Sequence, residues 1–253
     1  MKYMGSKSRI VKDIIPIIQN IIDTKNIHYY YEPFVGGCNV IDKVKCTYKI
    51  GNDINSYLIK LLKAQQKGLL KTLPAHVTKE HYNEVRNEYN NIKNNSADVR
   101  KFEDWYIGAI GFLASYNGKF FDGGYSGVIT EKTGRYRDFY NEAKRNLEQQ
   151  DLQNILLYNS SYQNLSIKNN NLLIYCDPPY FNTKQYNYSK NFDYAEFWNW
   201  VREQSKNNII IVSEQTAPED FKIIWEQPIT RSIGNRTLDD IKTKDVVEKL
   251  FTL

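Results

Sequence analysis

Apolar residues recur along the chain with two different periods, and the alternation between them outlines a layered α/β protein. Ile10, Ile14, Ile17, Ile18, Ile21 and Ile22 fall at three- and four-residue intervals, which predicts an amphipathic helix over residues 8–23. Pro16 lies inside it, where a missing backbone donor predicts a kink. Tyr29–Glu32 reads as a short strand running into Pro33-Phe34-Val35-Gly36-Gly37, and a helix from about Asn39, a strand near Tyr48–Gly51 and then Asp53 complete a β-α-β unit. Residues 56–150 have another texture. Helical patterns at about 55–67, 79–94 and 99–115 precede a glycine- and aromatic-rich stretch, 116–127, that predicts loop or hairpin, and 138–149 returns to helix. After residue 150 the alternation resumes. Ile155–Tyr158, Leu172–Cys176 and Ile209–Val212 are short apolar runs of buried-strand type, 193–206 is helical, and Phe221–Trp225 and Val246–Phe251 are two final strands. The expected organisation is one α/β domain built from residues 1–55 and 151–253, with 56–150 an inserted, mainly helical subdomain.

Composition narrows the class without naming a partner. The chain has 253 residues, enough for an α/β domain with an insertion, and 41% hydrophobic with 25% charged residues excludes wholesale disorder. A formal net charge of +5 permits a nucleic-acid partner without requiring one. The charge is uneven, +3 over 1–55, +4 over 56–150 and −2 over 151–253, so a polyanion contact is expected in the first two thirds. Three scattered cysteines exclude a disulfide scaffold, and three histidines without ligand spacing give no metal site. No run approaches the roughly 18 apolar residues of a membrane span, and the start MKYMGSKSRI lacks the apolar core of a signal peptide, so a reducing cytoplasm is the expected compartment.

Three short motifs carry chemistry. Leu172-Leu173-Ile174-Tyr175-Cys176 is a buried strand, and Asp177-Pro178-Pro179-Tyr180 follows it directly. The prolines remove two backbone donors and fix an extended turn, leaving the Pro178 carbonyl as an acceptor beside the Asp177 carboxylate and the Tyr180 ring. At the carboxyl end of a strand, where open α/β sheets place ligands, that set suits an exocyclic amino group: two acceptors for its N–H bonds and an aromatic plane for its ring. Read alone, the tetrapeptide is equally a tight turn with a capping aspartate. Glu32-Pro33-Phe34-Val35-Gly36-Gly37, with Asp53 at the end of the following strand, offers glycines for close backbone approach and a carboxylate for ribose hydroxyls. It is neither G-x-G-x-x-G nor a Walker loop, and a Gly-Gly pair is by itself only a turn. Lys2-Tyr3-Met4-Gly5-Ser6-Lys7 sets a Gly-Ser-Lys turn before a helix, which can present N–H groups and an ammonium to a carboxylate.

Together, the order and spacing of these motifs resemble the Dam-like (D12 class) N6-adenine-specific DNA methyltransferases, including phage Dam enzymes. That family runs K-Y-x-G-[SGN]-K, [ED]-x-F-x-G-G, a ribose-binding Asp, a target-recognition insertion, then D-P-P-Y. The resemblance implies a Rossmann-like S-adenosylmethionine-dependent methyltransferase sheet with an inserted, mainly helical target-recognition subdomain at 56–150. It implies S-adenosylmethionine as cofactor, S-adenosylhomocysteine as product, no metal, and double-stranded DNA as partner. Carried over by motif, Tyr3 and Lys7 help hold the cofactor, Phe34, Gly36 and Gly37 line its methionine side, Asp53 takes its ribose, Ile54 packs on its adenine, and Tyr162 and Asp177 lie near it. Asp177, Pro178, Pro179 and Tyr180 form the catalytic site, where a flipped adenine stacks on Tyr180 while Asp177 and the Pro178 carbonyl hold its amino group. No cysteine nucleophile is needed, and Cys176 is read as a buried strand residue.

The insertion is expected to read DNA. Tyr116-Asn117-Gly118 resembles the Y-N-G that opens the recognition hairpin of GATC-specific relatives, but Lys119, Phe120 and Phe121 stand where those relatives carry a guanine-reading arginine, which puts GATC specificity in doubt. Lys119, Arg135 and Arg137 are the candidate base or phosphate contacts beside Tyr116 and Asn117, and Phe120, Phe121 or Tyr125 the candidate wedges into the stack left by the flipped base. Some of these aromatics are expected simply to pack the subdomain. Tyr186, Tyr188 and Lys190 form either a lid over the target or an ordinary polar loop. Two other readings remain at this point: the same fold methylating cytosine N4, an RNA base or a protein glutamine, and a non-catalytic DNA-binding module. The recognition sequence, a restriction partner and the oligomeric state are not legible.

Overall fold

Five short runs rich in Ile, Leu and Tyr form the parallel part of one sheet, and the central ones are covered on both faces. In a computed structural model the described residues are 1, 3, 5–94, 100–130, 134, 136–164, 171–180, 192–233 and 242–253, with backbone alone for 130, 230–233 and 242–245. The parallel strands are β1 (Tyr29–Glu32), β2 (Tyr48–Asn52), β5 (Ile155–Tyr158), β6 (Leu172–Cys176) and β7 (Ile209–Glu214). A long antiparallel pair, β8 (Lys222–Ile233) and β9 (Lys242–Thr252), completes the sheet in the order β5-β2-β1-β6-β7-β9-β8. Counting parallel strands alone in chain order gives 3-2-1-4-5, the doubly wound order of a Rossmann-like fold with the last strands folded back as a hairpin. Strand order reverses between β1 and β6, and ligands of such sheets bind at the strand ends beside that point.

Alternation along β6 sends its residues to two cores. Leu172, Ile174 and Cys176 face a layer containing Phe197, Trp198 and Val201 of helix α6 (Tyr194–Ser205). Leu173 and Tyr175 face the larger core, built from α1 (Val11–Thr24), α2 (Ser56–Gln66), α3 (Lys79–Lys93), α4 (Asp104–Leu113) and α5 (Phe139–Glu148). Residues 56–150 therefore pack into the same core as α1 and β1. Helix α4 crosses α2 at close range: a Cβ on Gly108 would lie 2.4 Å from the Tyr57 carbonyl oxygen. A separate two-stranded sheet joins β3 (Val128–Thr130) to β4 (Tyr136–Asp138).

The structure departs from the sequence expectation in three places. Helix α1 runs through Pro16 instead of breaking there; Pro16 and Lys12 are both exposed, so the Lys12 carbonyl that loses its donor is on the solvent side. The helix expected from Asn39 is a series of turns. The carbonyls of Gly37 and Cys38, which would open such a helix, accept from the Gln150 side chain at 2.9 and 3.2 Å, and Cys38 sits at a φ of 55°. The last two strands are about twice their expected length, with Pro228 inside β8, which is tolerated because β8 is the sheet's outer edge.

Candidate active site

Parallel pairing of β2, β1 and β6 brings three motifs that are far apart in sequence to adjacent strand ends. β2 ends in Asn52 and is followed by Asp53. Asn52 is fully buried; its amide donates to the carbonyls of Pro33 and Ser160 at 3.1 and 3.0 Å, and its oxygen accepts from Ser160 N at 3.0 Å. Asn159 adds bonds to the carbonyls of Asp53 and Ile54 at 2.8 and 3.0 Å. These two asparagines, which the sequence reading missed, tie the ends of β1, β2 and β5 into one floor. A polar residue where the strand pattern wants an apolar one was the signal at Asn52.

Asp53 faces the glycine turn across this floor. Its carboxylate accepts from Gly36 N at 3.1 Å and from Asn55 N at 2.9 Å, and it is 8% exposed. Burial pushes its carboxyl from 3.8 up to about 6, with the two N–H bonds pulling the other way. Gly36 takes a φ of 49°, and a Cβ there would lie 3.0 Å from the Tyr3 ring, so Tyr3 lies directly on the turn. Ile54, beside Asp53, is 59% exposed, an unusual position for an aliphatic side chain. Phe34 packs on Tyr162 at 5.2 Å between centroids; Tyr162 is itself buried against Trp200 of α6 at 5.3 Å.

The end of β6 carries the second half of the site. Lys7, 6% exposed, forms an ion pair with Asp177, and its Nζ lies 4.5 Å from the centroid of the Tyr180 ring. The Asp-Pro-Pro-Tyr turn is held at both ends. Tyr194 at the start of α6 donates to the Pro179 carbonyl at 2.9 Å, and the Tyr180 hydroxyl reaches Glu248 of β9 and Ser213 of β7. Glu32, at the end of β1, accepts from the Tyr30 hydroxyl at 2.7 Å; burial pushes its carboxyl well above the usual range, and nearby Asp177 adds to the shift. Cys176 is fully buried and burial raises its thiol, the environment of a packing residue and not of a nucleophile. Tyr194, Ser213 and Glu248 were missed by the sequence reading, since nothing in their local patterns marks them.

The proposed DNA contacts fare unevenly. Tyr116 and Asn117 are exposed at the tip of a turn in which Asn117 has a φ of 55°. Lys119 is half-buried beside them. Phe120 and Phe121 do not stand out as wedges: they are 7% and 3% exposed, at φ of 28° and 58°. Phe120 packs on Phe112 at 4.7 Å and on Tyr89 at 5.0 Å, and Phe121 on Tyr82 at 5.3 Å. The left-handed turn aims both rings inward, where Gly111 of α4 leaves room for them. Tyr125 is half-buried, its hydroxyl bonded to the Val77 carbonyl. Arg137 is held in a two-point ion pair with Glu142, at 2.9 and 2.7 Å, over the Phe139 ring. Arg135 and the lid candidates Tyr186, Tyr188 and Lys190 lie outside the described residues.

A family model described as D12 class N6 adenine-specific DNA methyltransferase matches residues 3–217. A curated relative, the type II methyltransferase M.FokI of Planomicrobium okeanokoites, is 25% identical over 199 residues, covering 72% of this chain and 29% of that protein. The chain thus spans less than a third of that relative's length. Among solved structures, a precorrin-8W decarboxylase of Methanobacterium thermoautotrophicum aligns at 10% identity over 94% of this chain and 89% of its own, with a TM-score of 0.36. SMU.472, assigned as a methyltransferase and complexed with SAH, aligns at 10% identity over 59% of this chain and 44% of its own, with a TM-score of 0.26. At these scores neither structure bears on the fold, which rests on the strand order and the family match. Among the described residues no helix is long and apolar enough to cross a membrane.

Proposed function

The chain belongs to the D12 class of N6-adenine-specific DNA methyltransferases, and from that premise we propose that it moves the methyl group of S-adenosylmethionine onto the N6 amino group of an adenine turned out of a DNA duplex. One observation carries this reading. The Lys7 ammonium lies against both the Asp177 carboxylate and the Tyr180 ring, so a nitrogen that donates hydrogen bonds already has a place between the two groups that an acceptor adenine needs. An adenine amino group entering there displaces Lys7, donates to Asp177 and brings its ring onto Tyr180. Accepting the N–H bonds draws the N6 lone pair away from the ring, which makes it a better nucleophile. A base paired in the duplex cannot reach this site, so extrusion comes first.

The other half of the site fits a sulfonium nucleoside. Tight backbone approach at Gly36, the Asp53 carboxylate and the exposed Ile54 side chain form the set that a ribose and an adenine ring require. Tyr3, Phe34, Gly36, Gly37, Asp53 and Ile54 would hold the cofactor, which supplies the methyl group when bound. Lys7 belongs with the acceptor side in this reading. Residues 56–150, with Tyr116, Asn117 and Lys119 at an accessible turn, hold the duplex.

The test is expression in cells that lack adenine methylation, followed by sequencing with modified-base detection. The expected result is N6-methyladenine at one short motif. N4-methylcytosine, or unmodified DNA, would refute the reading.

A further inference from the structure

The hydroxyl of Tyr180 is buried in a polar setting that stacking on a base does not require. The ring is 8% exposed, its hydroxyl donates to Glu248, which is 2% exposed, and it lies 3.1 Å from Oγ of the fully buried Ser213. A phenol has one proton; with that proton given to Glu248, Ser213 donates to the phenol oxygen. Phenylalanine would offer a base the same apolar face without the cost of desolvating a carboxylate. Burial, with Asp177 and Glu248 close by, raises the Tyr180 hydroxyl well above its ordinary range, so it stays a donor. The register explains how Glu248 arrives there. β9 pairs with β7 as Ser213↔Leu250 and Glu214↔Lys249, which puts Glu248 on the same sheet face as Ser213 and one step further toward the strand end that carries the site. At the opposite end of the same side chain, the ring face receives a cation, Lys7.

We propose that Glu248, assisted by Ser213, is a positioning residue for methyl transfer: it fixes the plane of the Tyr180 ring and, through the phenol, makes that ring more electron-rich toward the acceptor nitrogen. The proposal rests on the assignment of Asp177–Tyr180 as the acceptor site. As the new C–N bond forms and the S–C bond breaks, N6 carries additional positive charge until one of its protons passes to solvent. A ring whose hydroxyl donates to a carboxylate attracts positive charge more strongly than an isolated phenol or a benzene ring. The contact is set before the reaction begins, so no reorganisation is spent on it at the transition state. Tyr194, bonded to the Pro179 carbonyl, holds the same turn from the other side.

The test is single-turnover methyl transfer to an unmodified duplex carrying the motif that the protein methylates, with wild type, Glu248→Gln, Ser213→Ala, Tyr180→Phe and the Tyr180→Phe/Glu248→Gln double variant. Glu248→Gln keeps an acceptor and removes the charge; Tyr180→Phe keeps the ring and removes the contact, and being nearly isosteric it carries the test where Glu248→Gln fails to fold. Each is expected to slow transfer about tenfold, while S-adenosylhomocysteine affinity by calorimetry stays within about twofold. The double variant is expected to be no slower than the slower single variant, because both remove one contact. A Tyr180→Phe rate equal to wild type, or a full additional loss from Glu248→Gln on the Tyr180→Phe background, would overturn the proposal while the acceptor-site assignment stands. A wild-type protein that methylates no DNA would overturn both.

Discussion

Asp53 offers the sharpest test of the cofactor half of the site, because its titration is displaced into an accessible range. Its carboxyl is moved from 3.8 to about 6 by burial. In the proposed reading ribose hydroxyls donate to the ionised carboxylate, so binding should follow the ionised fraction. With a pKa near 6, roughly a tenth of the protein is ionised at pH 5 and nearly all at pH 7.5, which predicts about tenfold weaker binding of S-adenosylhomocysteine at the lower pH. Linkage gives a second, opposite signal. A raised carboxyl pKa means that the folded chain holds this proton more tightly than the unfolded chain. The group's stabilising contribution is therefore full below pH 3.8 and is lost as pH rises toward 6, by about 3 kcal/mol, an order-of-magnitude figure from the displacement. Cofactor affinity and intrinsic stability should thus respond to pH in opposite directions between pH 4 and 6. Calorimetry at pH 5.0 and 7.5 measures the first and urea unfolding across the window the second. The same experiments on Asp53→Asn remove contributions from other groups; this variant should bind roughly 10- to 100-fold more weakly, with the pH dependence gone. A dissociation constant in wild type that changes less than twofold between the two pH values, or an Asp53→Asn variant with wild-type affinity, would refute the ribose role.

Asp177→Ala is expected to reduce methyl transfer by roughly 10²- to 10³-fold, with S-adenosylhomocysteine binding kept, and to lower stability by about 1–3 kcal/mol because the Lys7 ammonium, 6% exposed, loses its partner; retained turnover in a filter assay would remove Asp177 from the chemistry. Phe120→Ala should cost about 3–5 kcal/mol by leaving a cavity beside Phe112 and Tyr89, read as a melting point lower by about 10 °C. An unchanged melting point with lost base extrusion would restore its reading as a wedge. Asn52→Ala should destabilise by about 2–4 kcal/mol and weaken cofactor binding, since three backbone groups of Pro33 and Ser160 lose their partner at once; wild-type denaturant midpoints would show that another contact holds the strand ends.

What could be read from the sequence divides along a physical line. Strands β6 and β7 were legible because strands buried on both faces must be continuously apolar over four to six residues, and β5 because it has the same short apolar run although its outer face is exposed at the sheet edge. Helices α2, α3 and α5 were legible because each shows one apolar face against a polar one, and α4 because its apolar run is too long for a strand and is buried on all sides. The turns after Gly37 were misread as helix because Val40, Ile41 and Val44 fall at three- and four-residue intervals. The competing bonds come from Gln150, more than a hundred residues away, and no local pattern contains them. Phe120 and Phe121 were assigned to DNA by analogy with a hairpin, yet their inward aim depends on two positive φ angles and on the absence of a side chain at Gly111. In the candidate site, Gly36, Asp53, Asp177 and Tyr180 were singled out from their motifs, and the fold brings them to adjacent strand ends. Those that hold them in place, Asn52, Asn159, Tyr194, Ser213 and Glu248, sit in ordinary strand, loop and helix-start positions and become visible only once β1, β2, β6, β7 and β9 are side by side.

The same topology explains how so dispersed a set of motifs comes together. Parallel neighbours end at the same edge of a sheet, so the order β2-β1-β6 converts residues 53, 36 and 177 into a line across three adjacent strand ends. The line runs from the carboxylate assigned to the ribose to the carboxylate assigned to the acceptor, with the strand-order reversal falling between β1 and β6, the place where sheets of this kind hold their ligands. Tyr3 and Lys7 lie on the two parts of this line: Tyr3 on Gly36, and Lys7 on Asp177 and Tyr180. A group that enters over Gly36 must move the Tyr3 ring, and Lys7 is only four residues further along the same turn. The two halves of the site are therefore joined mechanically through one short stretch of chain as well as through the sheet beneath them. Substitutions at Tyr3 should accordingly alter how Lys7 sits on Asp177.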